Sequence, residues 1–252
     1  MAMASPAGGT RPRSARPRAQ RALAVPDPRS AMPGVIWHPS PNHGPRRDGL
    51  QPELVVLHFT GMADTGAALE RLCDPAAEVS AHYLISGSGQ VWHLVQESRR
   101  AWHAGAGGWQ GRGDVNSRSV GIELCNPGDR PFAAPQMHAL EALLRSVMAR
   151  WNIRAKGVIG HSDMAPERKF DPGPRFDWCR LARQQLAIWP DPQAGQAPAP
   201  PLVQSLDRIG YPPAPAPDRL RAFRARFRPA AAHSGRDEDA QDRAIAANVA
   251  VL

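Results

Sequence analysis

The sequence feature that most constrains the fold is a nearly continuous apolar run, Glu53–Phe59, with the letters ELVVLHF. Runs of this length without polar alternation are typical of strands buried on both faces, as at the centre of an α/β sheet. Two more strands are predicted over Ser119–Leu124 and over a short apolar run, Gly157–Gly160. The clearest helix spans Pro135–Trp151, with an apolar stripe and a proline suited to the first helical turn. The chain is therefore predicted to be an α/β protein.

The composition changes at the two ends of the chain. Residues 1–31 hold six arginines against one acid, so they carry +5 of the formal net charge of +8. We predict a disordered basic tail there, with Met32 as the hypothetical translation start, and the remaining charge gives no reason to expect nucleic-acid binding. Residues 190–201 are proline-rich and predict a linker, and residues 202–252 contain three helical patterns. No apolar run reaches the roughly 18 residues of a membrane span.

The loop Gly160–Gly173, with the letters GHSDMAPERKFDPG, is rich in groups that carry out chemistry. His161 follows a predicted strand. Lys169 and Asp171 are separated by one residue, so in an extended segment their side chains point to the same side. Loops of this kind, held by a rigid scaffold, are typical of active sites. Taken alone, the segment is equally compatible with a polar surface loop.

Two predicted strands carry further candidates, His58 and Glu123. Two histidines and one carboxylate, with a fourth position open to water, form a catalytic zinc arrangement, in which the water becomes nucleophilic near neutral pH. Glu123 would then transfer a proton to a leaving amine, and Lys169 would stabilise the oxyanion of a tetrahedral intermediate. The sequence does not by itself show that these groups meet. His58 taken singly is better explained as an ordinary strand histidine.

Five segments resemble, in order, the motifs of one enzyme family, the zinc N-acetylmuramoyl-L-alanine amidases of the amidase-2 type. This family is related to peptidoglycan recognition proteins and to phage amidases. The segments are VVLHFTG at 55–61, VSAHYLIS at 79–86, AWHAG at 101–105, NSRSVGIEL at 116–124 and GHSDMAPERKFDPGPRFDW at 160–178. The resemblance covers Val35–Trp189 and predicts a catalytic domain over residues 32–189.

The resemblance implies zinc as the cofactor, with His58, His161 and Asp171 as its ligands. It implies Glu123 as the catalytic acid/base and Lys169 as the oxyanion stabiliser. The implied reaction is hydrolysis of the amide between the lactyl group of N-acetylmuramic acid and the L-alanine of the stem peptide. The implied fold is a mixed central β-sheet flanked by helices.

Four more residues are predicted to serve substrate binding. Asn42 and Arg46, in SPNHGPRR, match an N-terminal motif that shapes the cleft in the same family. His103 lies among glycines in AWHAG, where a ligand can approach, and its neighbour Trp102 either stacks on sugar or only closes the loop.

The C-terminal residues 202–252 carry a looser resemblance. GYPPAP followed by LRAFRARFRP is similar to the helical peptidoglycan-binding module fused to some members of the family. A small three-helix module is therefore predicted. The resemblance leaves open whether this module binds glycan or only packs on the catalytic domain.

Two function classes follow from these observations. The first is an amidase acting on peptidoglycan fragments or murein, and the second is a non-catalytic peptidoglycan-binding protein, which the presence of all five implied active residues disfavours. The lack of a secretory signal favours a cytoplasmic enzyme that recycles muropeptides, including 1,6-anhydro forms. The C-terminal module favours polymeric murein in the periplasm. We expect a cytoplasmic monomer.

Overall fold

The computed structural model describes residues 34–191 and 199–252, so the predicted basic tail and most of the predicted linker lie outside the described residues. The centre of the fold is a six-stranded sheet in the order β1-β5-β4-β7-β3-β8, and β2 pairs with β6 beside it. The strands are β1 (Ile36–Trp37), β2 (His43–Pro45), β3 (Leu54–Phe59), β4 (Tyr83–Ile85), β5 (Val91–His93), β6 (Arg99–Ala101), β7 (Ser119–Leu124) and β8 (Val158–Gly160). Within the six-stranded sheet, only β4 and β5 pair antiparallel, which makes the sheet mixed and mostly parallel.

Helices flank this sheet on both faces. In chain order they are α1 (Thr65–Cys73), α2 (Val115–Arg118), α3 (Ala134–Trp151), α4 (His161–Met164), α5 (Trp178–Ala182), α6 (Leu202–Ile209), α7 (Ala216–Phe227) and α8 (Ala240–Val249). The predicted α/β class, with a mixed central sheet flanked by helices, is thereby confirmed. None of the helices in the described ranges has both the length and the apolar character that a membrane span requires.

Side-chain caps and a proline set the ends of the helices. The Asp64 carboxylate accepts a hydrogen bond from the Ala67 amide at 2.7 Å, just before α1. Asp177 accepts from the Arg180 amide at 2.9 Å at the start of α5. Each bond satisfies a backbone donor that has no partner within its own helix. Pro135 lies in the first turn of α3, where its missing N–H costs nothing.

The two faces of β3 belong to two different hydrophobic clusters. Val55 and Leu57 pack in the cluster beneath α3, whereas Leu54 and Val56 pack in a cluster on the opposite face. All four side chains are at most 3% exposed. The apolar run is therefore a strand buried on both faces, as its lack of alternation predicted.

The C-terminal helices α6, α7 and α8 cover the second face of the sheet. Phe223 and Phe227 of α7 belong to the same cluster as Val56 of β3 and Ile159 of β8. The three helical patterns of residues 202–252 thus fold as three helices that share their core with the sheet. The helices pack on the catalytic domain, and a glycan-binding role for them stays a prediction.

The parallel strands β3, β7 and β8 bring their carboxyl ends to one edge of the sheet. His58 of β3 and Glu123 of β7 are direct partners in the register of these two strands. Because parallel neighbours in register point their side chains to the same face, His58 and Glu123 lie side by side although 65 positions separate them in the sequence. Ligand sites in open α/β sheets lie outside this edge.

Candidate metal centre and catalytic cleft

A cleft of about 320 Å³ opens at the carboxyl ends of these strands. Its walls bring together groups from strands β3 and β7, from the loop after β8 and from the loop after β6. They include the five residues singled out for chemistry and two of the four singled out for substrate: His58, Glu123, His161, Lys169, Asp171, Trp102 and His103.

Three donor atoms converge in this cleft. His58 Nδ1 and His161 Nδ1 lie 2.9 Å apart, and each lies 3.0 Å from Asp171 Oδ2. All three residues are buried, with exposed fractions of 6% or less. In the part of the chain that the structure describes, this is the group of histidine, cysteine and acidic side chains that could hold a metal ion.

The backbone around β8 explains how one short loop supplies two of these donors. His161 is the first residue of α4, directly after the strand ends at Gly160. The Ser162 amide donates to the Asp171 carbonyl at 2.9 Å, which folds the far end of the loop back onto α4. His161 and Asp171, ten residues apart in sequence, therefore face the same point.

The hydrogen-bond partner of His161 fixes its tautomer. Its Nε2 lies 3.0 Å from the carbonyl oxygen of Ala104, which can only accept a hydrogen bond. Nε2 must therefore carry the proton, and in the neutral ring Nδ1 carries a lone pair that faces the cleft.

A chain of partners fixes the tautomer of His58 in the same way. The Ser119 hydroxyl donates to the Val115 carbonyl at 2.6 Å, so its oxygen is left to accept from His103 Nε2 at 3.2 Å. His103 Nδ1 then has a lone pair and accepts from His58 Nε2 at 3.0 Å. The remaining nitrogen of His58, Nδ1, consequently presents a lone pair to the cleft. Outer partners of this kind orient metal-binding histidines.

The ionisation of these groups agrees with their geometry. Burial, followed by the neighbouring His161, lowers the pKa of His58 to about 4, so this ring is neutral at physiological pH. Burial would raise the pKa of Asp171, whereas a proton shared with the His161 and His58 rings holds it well below its ordinary value. A cation between the same atoms would take the place of that proton. The site thus offers a carboxylate and unprotonated imidazole nitrogen, the forms in which these side chains bind metal.

The donor set fits a small divalent cation. Two lone pairs and a carboxylate oxygen about 3 Å apart in a buried site repel one another unless a cation lies between them. Ligands bound tetrahedrally to zinc at about 2.0–2.1 Å are about 3.3 Å from one another, within a few tenths of an ångström of the distances observed. His58, His161 and Asp171 would hold such an ion and leave a fourth position free.

Glu123 stands beside this donor set without belonging to it. Its Oε2 atom is buried and has no hydrogen-bond partner within the described ranges. Burial, followed by the charge of Asp171, raises the pKa of Glu123 to about 8, while Lys169 acts in the opposite direction. A carboxyl group of this kind exchanges a proton near neutral pH, as an acid/base catalyst must.

His103 has two contacts that the sequence did not reveal. It was predicted to touch substrate, and it does line the cleft, but its ring nitrogens bind His58 and Ser119. The ring packs directly on Gly121 of β7, where an added Cβ would lie 2.4 Å from the His103 ring. Glycine at position 121 therefore makes room for the partner of His58. That glycine, two positions before Glu123, was the available sequence signal.

Asn42 and Arg46 are not among the residues that line the cleft. The Asn42 amide donates to the carbonyls of Asp74 and Val79, both at 2.8 Å. The Arg46 guanidinium donates to four main-chain carbonyls, those of Glu97, Asn116, Ser117 and Ser119. Both side chains hold the loops around the cleft, so any influence on substrate would be exerted through the shape of the cleft. Trp102 lines the cleft itself.

Comparisons with known proteins place the chain in a family. Residues 48–174 match the family described as N-acetylmuramoyl-L-alanine amidase. N-acetylmuramoyl-L-alanine amidase AmiD of Escherichia coli is 37% identical over 227 residues, which are 77% of this chain and 80% of that protein. The 1,6-anhydro-N-acetylmuramyl-L-alanine amidase AmpD of Enterobacter cloacae is 37% identical over 160 residues, 57% of this chain and 86% of the relative.

Solved structures are similar over most of the chain. Escherichia coli AmiD, in complex with the substrate anhydro-N-acetylmuramic acid-L-Ala-D-gamma-Glu-L-Lys, superposes with a TM-score of 0.72 at 34% identity, covering 81% of this chain and 90% of that one. Pseudomonas aeruginosa AmpDh3 with anhydromuramic pentapeptide also gives 0.72, at 30% identity over 80% of this chain and 92% of that one.

The similarity to these amidases, over the mixed sheet and the cleft with its three-donor centre, defines an amide hydrolase of the α/β class. The chain belongs to the N-acetylmuramoyl-L-alanine amidase family. The predicted activity, cleavage of the amide between N-acetylmuramic acid and L-alanine, is confirmed, and the chain is an enzyme of peptidoglycan turnover.

Proposed function

We propose that the enzyme is a zinc amidase in which His58, His161 and Asp171 bind the ion. The observation that carries this proposal is the hydrogen-bond pattern behind the two histidines, which leaves both Nδ1 lone pairs facing Asp171 Oδ2. Zinc, when bound, supplies a Lewis acid that polarises the scissile carbonyl and makes water nucleophilic near neutral pH.

Glu123 is proposed as the acid/base catalyst. Its raised pKa and its position next to His58 suit a carboxylate that removes a proton from the attacking water. The same group then returns the proton to the amine of L-alanine, which leaves as the amide bond breaks. Because Oε2 has no partner in the described part of the chain, it is free to accept this proton.

Lys169 is proposed to stabilise the negative charge that develops on the carbonyl oxygen. It is half-buried, lines the cleft, and its ammonium group acts electrostatically on both His58 and Glu123. A fixed cation in a partly dehydrated cleft stabilises a developing oxyanion more than a neutral carbonyl. Its contribution therefore falls on the transition state rather than on substrate binding.

Peptidoglycan fragments are the proposed substrate, with 1,6-anhydro muropeptides as the leading case. The support is that two similar enzymes have been solved with anhydromuramyl peptides bound. His103 and Trp102 line the cleft and would face the sugar or the stem peptide, while Asn42 and Arg46 hold the surrounding loops. Polymeric murein is the competing substrate.

The first prediction concerns the metal. Protein loaded with one equivalent of zinc is expected to release L-Ala peptide from a soluble anhydromuropeptide, to lose this activity in a chelator, and to regain it when zinc is restored. Product release is followed chromatographically, with metal content measured on the same samples. Unchanged turnover in metal-free protein would refute the zinc proposal. Bound zinc without turnover would favour the alternative, a non-catalytic peptidoglycan-binding protein.

The second prediction concerns Lys169. We expect Lys169→Met to lower kcat by about 10²–10³-fold with little change in KM, because an oxyanion partner acts in the transition state. The matched control is Lys156→Met at the only other lysine in the chain, an exposed residue outside the cleft. Steady-state kinetics on both variants test the role, and a loss confined to KM would contradict it.

The location and oligomeric state stay predictions from the sequence, as a cytoplasmic monomer with a periplasmic enzyme as the alternative. The two locations offer different substrates. Rates measured on intact sacculi and on soluble anhydromuropeptides, together with cell fractionation, separate them.

A further inference from the structure

The C-terminal helices reach the segment that carries His161. Asp163 of α4, two residues after His161, is fully buried and receives side chains from both α7 and the turn after α6. Arg226 Nη1 lies 2.5 Å from Asp163 Oδ2, and the Tyr211 hydroxyl donates to Asp163 Oδ1 at 2.7 Å. Arg226 and Tyr211 are themselves only 2% and 3% exposed.

Asp163 passes these contacts to the backbone at the metal centre. Its Oδ2 accepts from the Gly160 amide at 2.8 Å, one residue before His161. The carboxylate therefore holds the tight turn from β8 into α4, and this turn sets the direction in which the His161 ring leaves the backbone. An added Cβ at Gly160 would lie 2.8 Å from Pro172, so the turn packs closely on the neighbour of Asp171 as well.

Arg226 holds the strand before the turn too. Its Nη2 donates to the Val158 carbonyl at 2.9 Å, and its guanidinium lies 4.4 Å from the centre of the Trp178 ring. A buried guanidinium and a buried carboxylate are each costly to dehydrate, so such a pair gives weak net stability and a strict geometry. A further hydrogen bond joins α7 to the loop after α4, where Arg221 Nη2 donates to the Pro166 carbonyl at 2.8 Å.

We propose that Arg226 and Tyr211 are positioning residues for the metal centre, acting through Asp163 to hold His161 in its binding orientation. Residues 202–252 then form part of the catalytic unit, in addition to any contact they make with glycan. This inference rests on the proposed role of His161 as a ligand. Its test measures metal binding without substrate, so failure of the amidase proposal would be seen separately.

The central experiment compares two buried arginines of the same helix. Arg226→Met is expected to weaken zinc affinity by about 10-fold, the low end of the effect of direct partners of metal ligands, because Arg226 acts on His161 through Asp163. Arg219→Met is the matched control, since Arg219 is 5% exposed and pairs with Asp207 inside the C-terminal segment, 2.6 Å away. We expect it to lower the melting temperature and leave zinc affinity unchanged.

Zinc affinity is measured by competition with a chromophoric chelator, well below both melting temperatures, and the visible spectrum of the cobalt-loaded proteins reports the coordination geometry. A changed cobalt spectrum in Arg226→Met but not in Arg219→Met supports the proposal. Equal zinc affinities and identical spectra in the two variants would overturn it, whatever their stabilities.

Two further variants extend the test, and Tyr211→Phe alone keeps it decisive if Arg226→Met does not fold. Tyr211→Phe removes only the hydroxyl that binds Asp163, and we expect a smaller loss of zinc affinity in the same direction. Asp163→Asn in the Arg226→Met background removes the unpaired buried charge and should restore part of the affinity. Wild-type affinity in Tyr211→Phe, or no recovery in the double variant, would count against positioning through Asp163.

Discussion

Asp171→Ala is expected to abolish stoichiometric zinc binding and amidase activity together. The carboxylate is the only charged donor of the three that converge, and without it two imidazole nitrogens remain 2.9 Å apart. A Lewis acid contributes several kcal/mol to the stabilisation of the transition state, so activity should fall by at least about 10³-fold. Metal content and hydrolysis of a soluble muropeptide, measured on the same preparation, test this result.

The control for Asp171 is Asp129→Ala. Its carboxylate is exposed and pairs with the adjacent Arg130. The substitution therefore deletes the same atoms as Asp171→Ala, but at a position outside the donor set. This variant should keep both zinc and activity. If Asp171→Ala bound one zinc ion with the wild-type affinity, the metal site would have to lie elsewhere in the protein.

Glu123→Gln should have the second largest effect, with a different signature. We expect zinc to stay bound, because Glu123 is outside the donor triangle, while kcat falls by about 10²–10⁴-fold through loss of proton transfer. Glutamine keeps the shape of the side chain and removes its titration. The limb of the pH–rate profile that belongs to Glu123 should therefore disappear from the residual activity.

The matched control is Glu70→Gln on the exposed side of α1, which should leave kcat and its pH dependence unchanged. Near-normal turnover in Glu123→Gln would refute the acid/base assignment. Loss of zinc in that variant would mean instead that Glu123 supports the metal ligands.

The sequence predicts the core of the site because residues with catalytic side chains lie on predicted strands. The apolar run that contains His58 and the strand that contains Glu123 are both predicted from the pattern of apolar residues alone. What residue patterns do not give is the pairing of the two strands, which puts His58 opposite Glu123. That pairing depends on the packing of the whole sheet, and the family resemblance implied only that His58 and Glu123 serve one active site.

The contacts of His103 could not be predicted from its place in the loop, for a related reason. A histidine among glycines is compatible with a ligand contact, and only the three-dimensional arrangement shows that its ring fills the space over Gly121 and binds His58. The preference for a substrate role followed from the loop, whereas the contact follows from the neighbouring strand.

The apolar pattern of β3 is consistent with the packing of residues 202–252 on the sheet. A strand that is apolar on both faces needs a cover on each, and α3 supplies only one. The proline-rich stretch before α6 instead favoured an independent module. The buried Arg226, beside Phe223 and Phe227 on α7, is a charged residue on a buried helix face, and such a residue needs a buried partner such as Asp163.

The hydrogen-bond chain from Val115 through Ser119 and His103 to His58 has a further consequence under the zinc proposal. These bonds, like the one from His161 to Ala104, involve protein groups alone, so the orientation of both rings does not depend on a group outside the protein. Zinc binding would then need no rotation of either ring, and the active fraction would follow the free zinc concentration as an ordinary saturation curve.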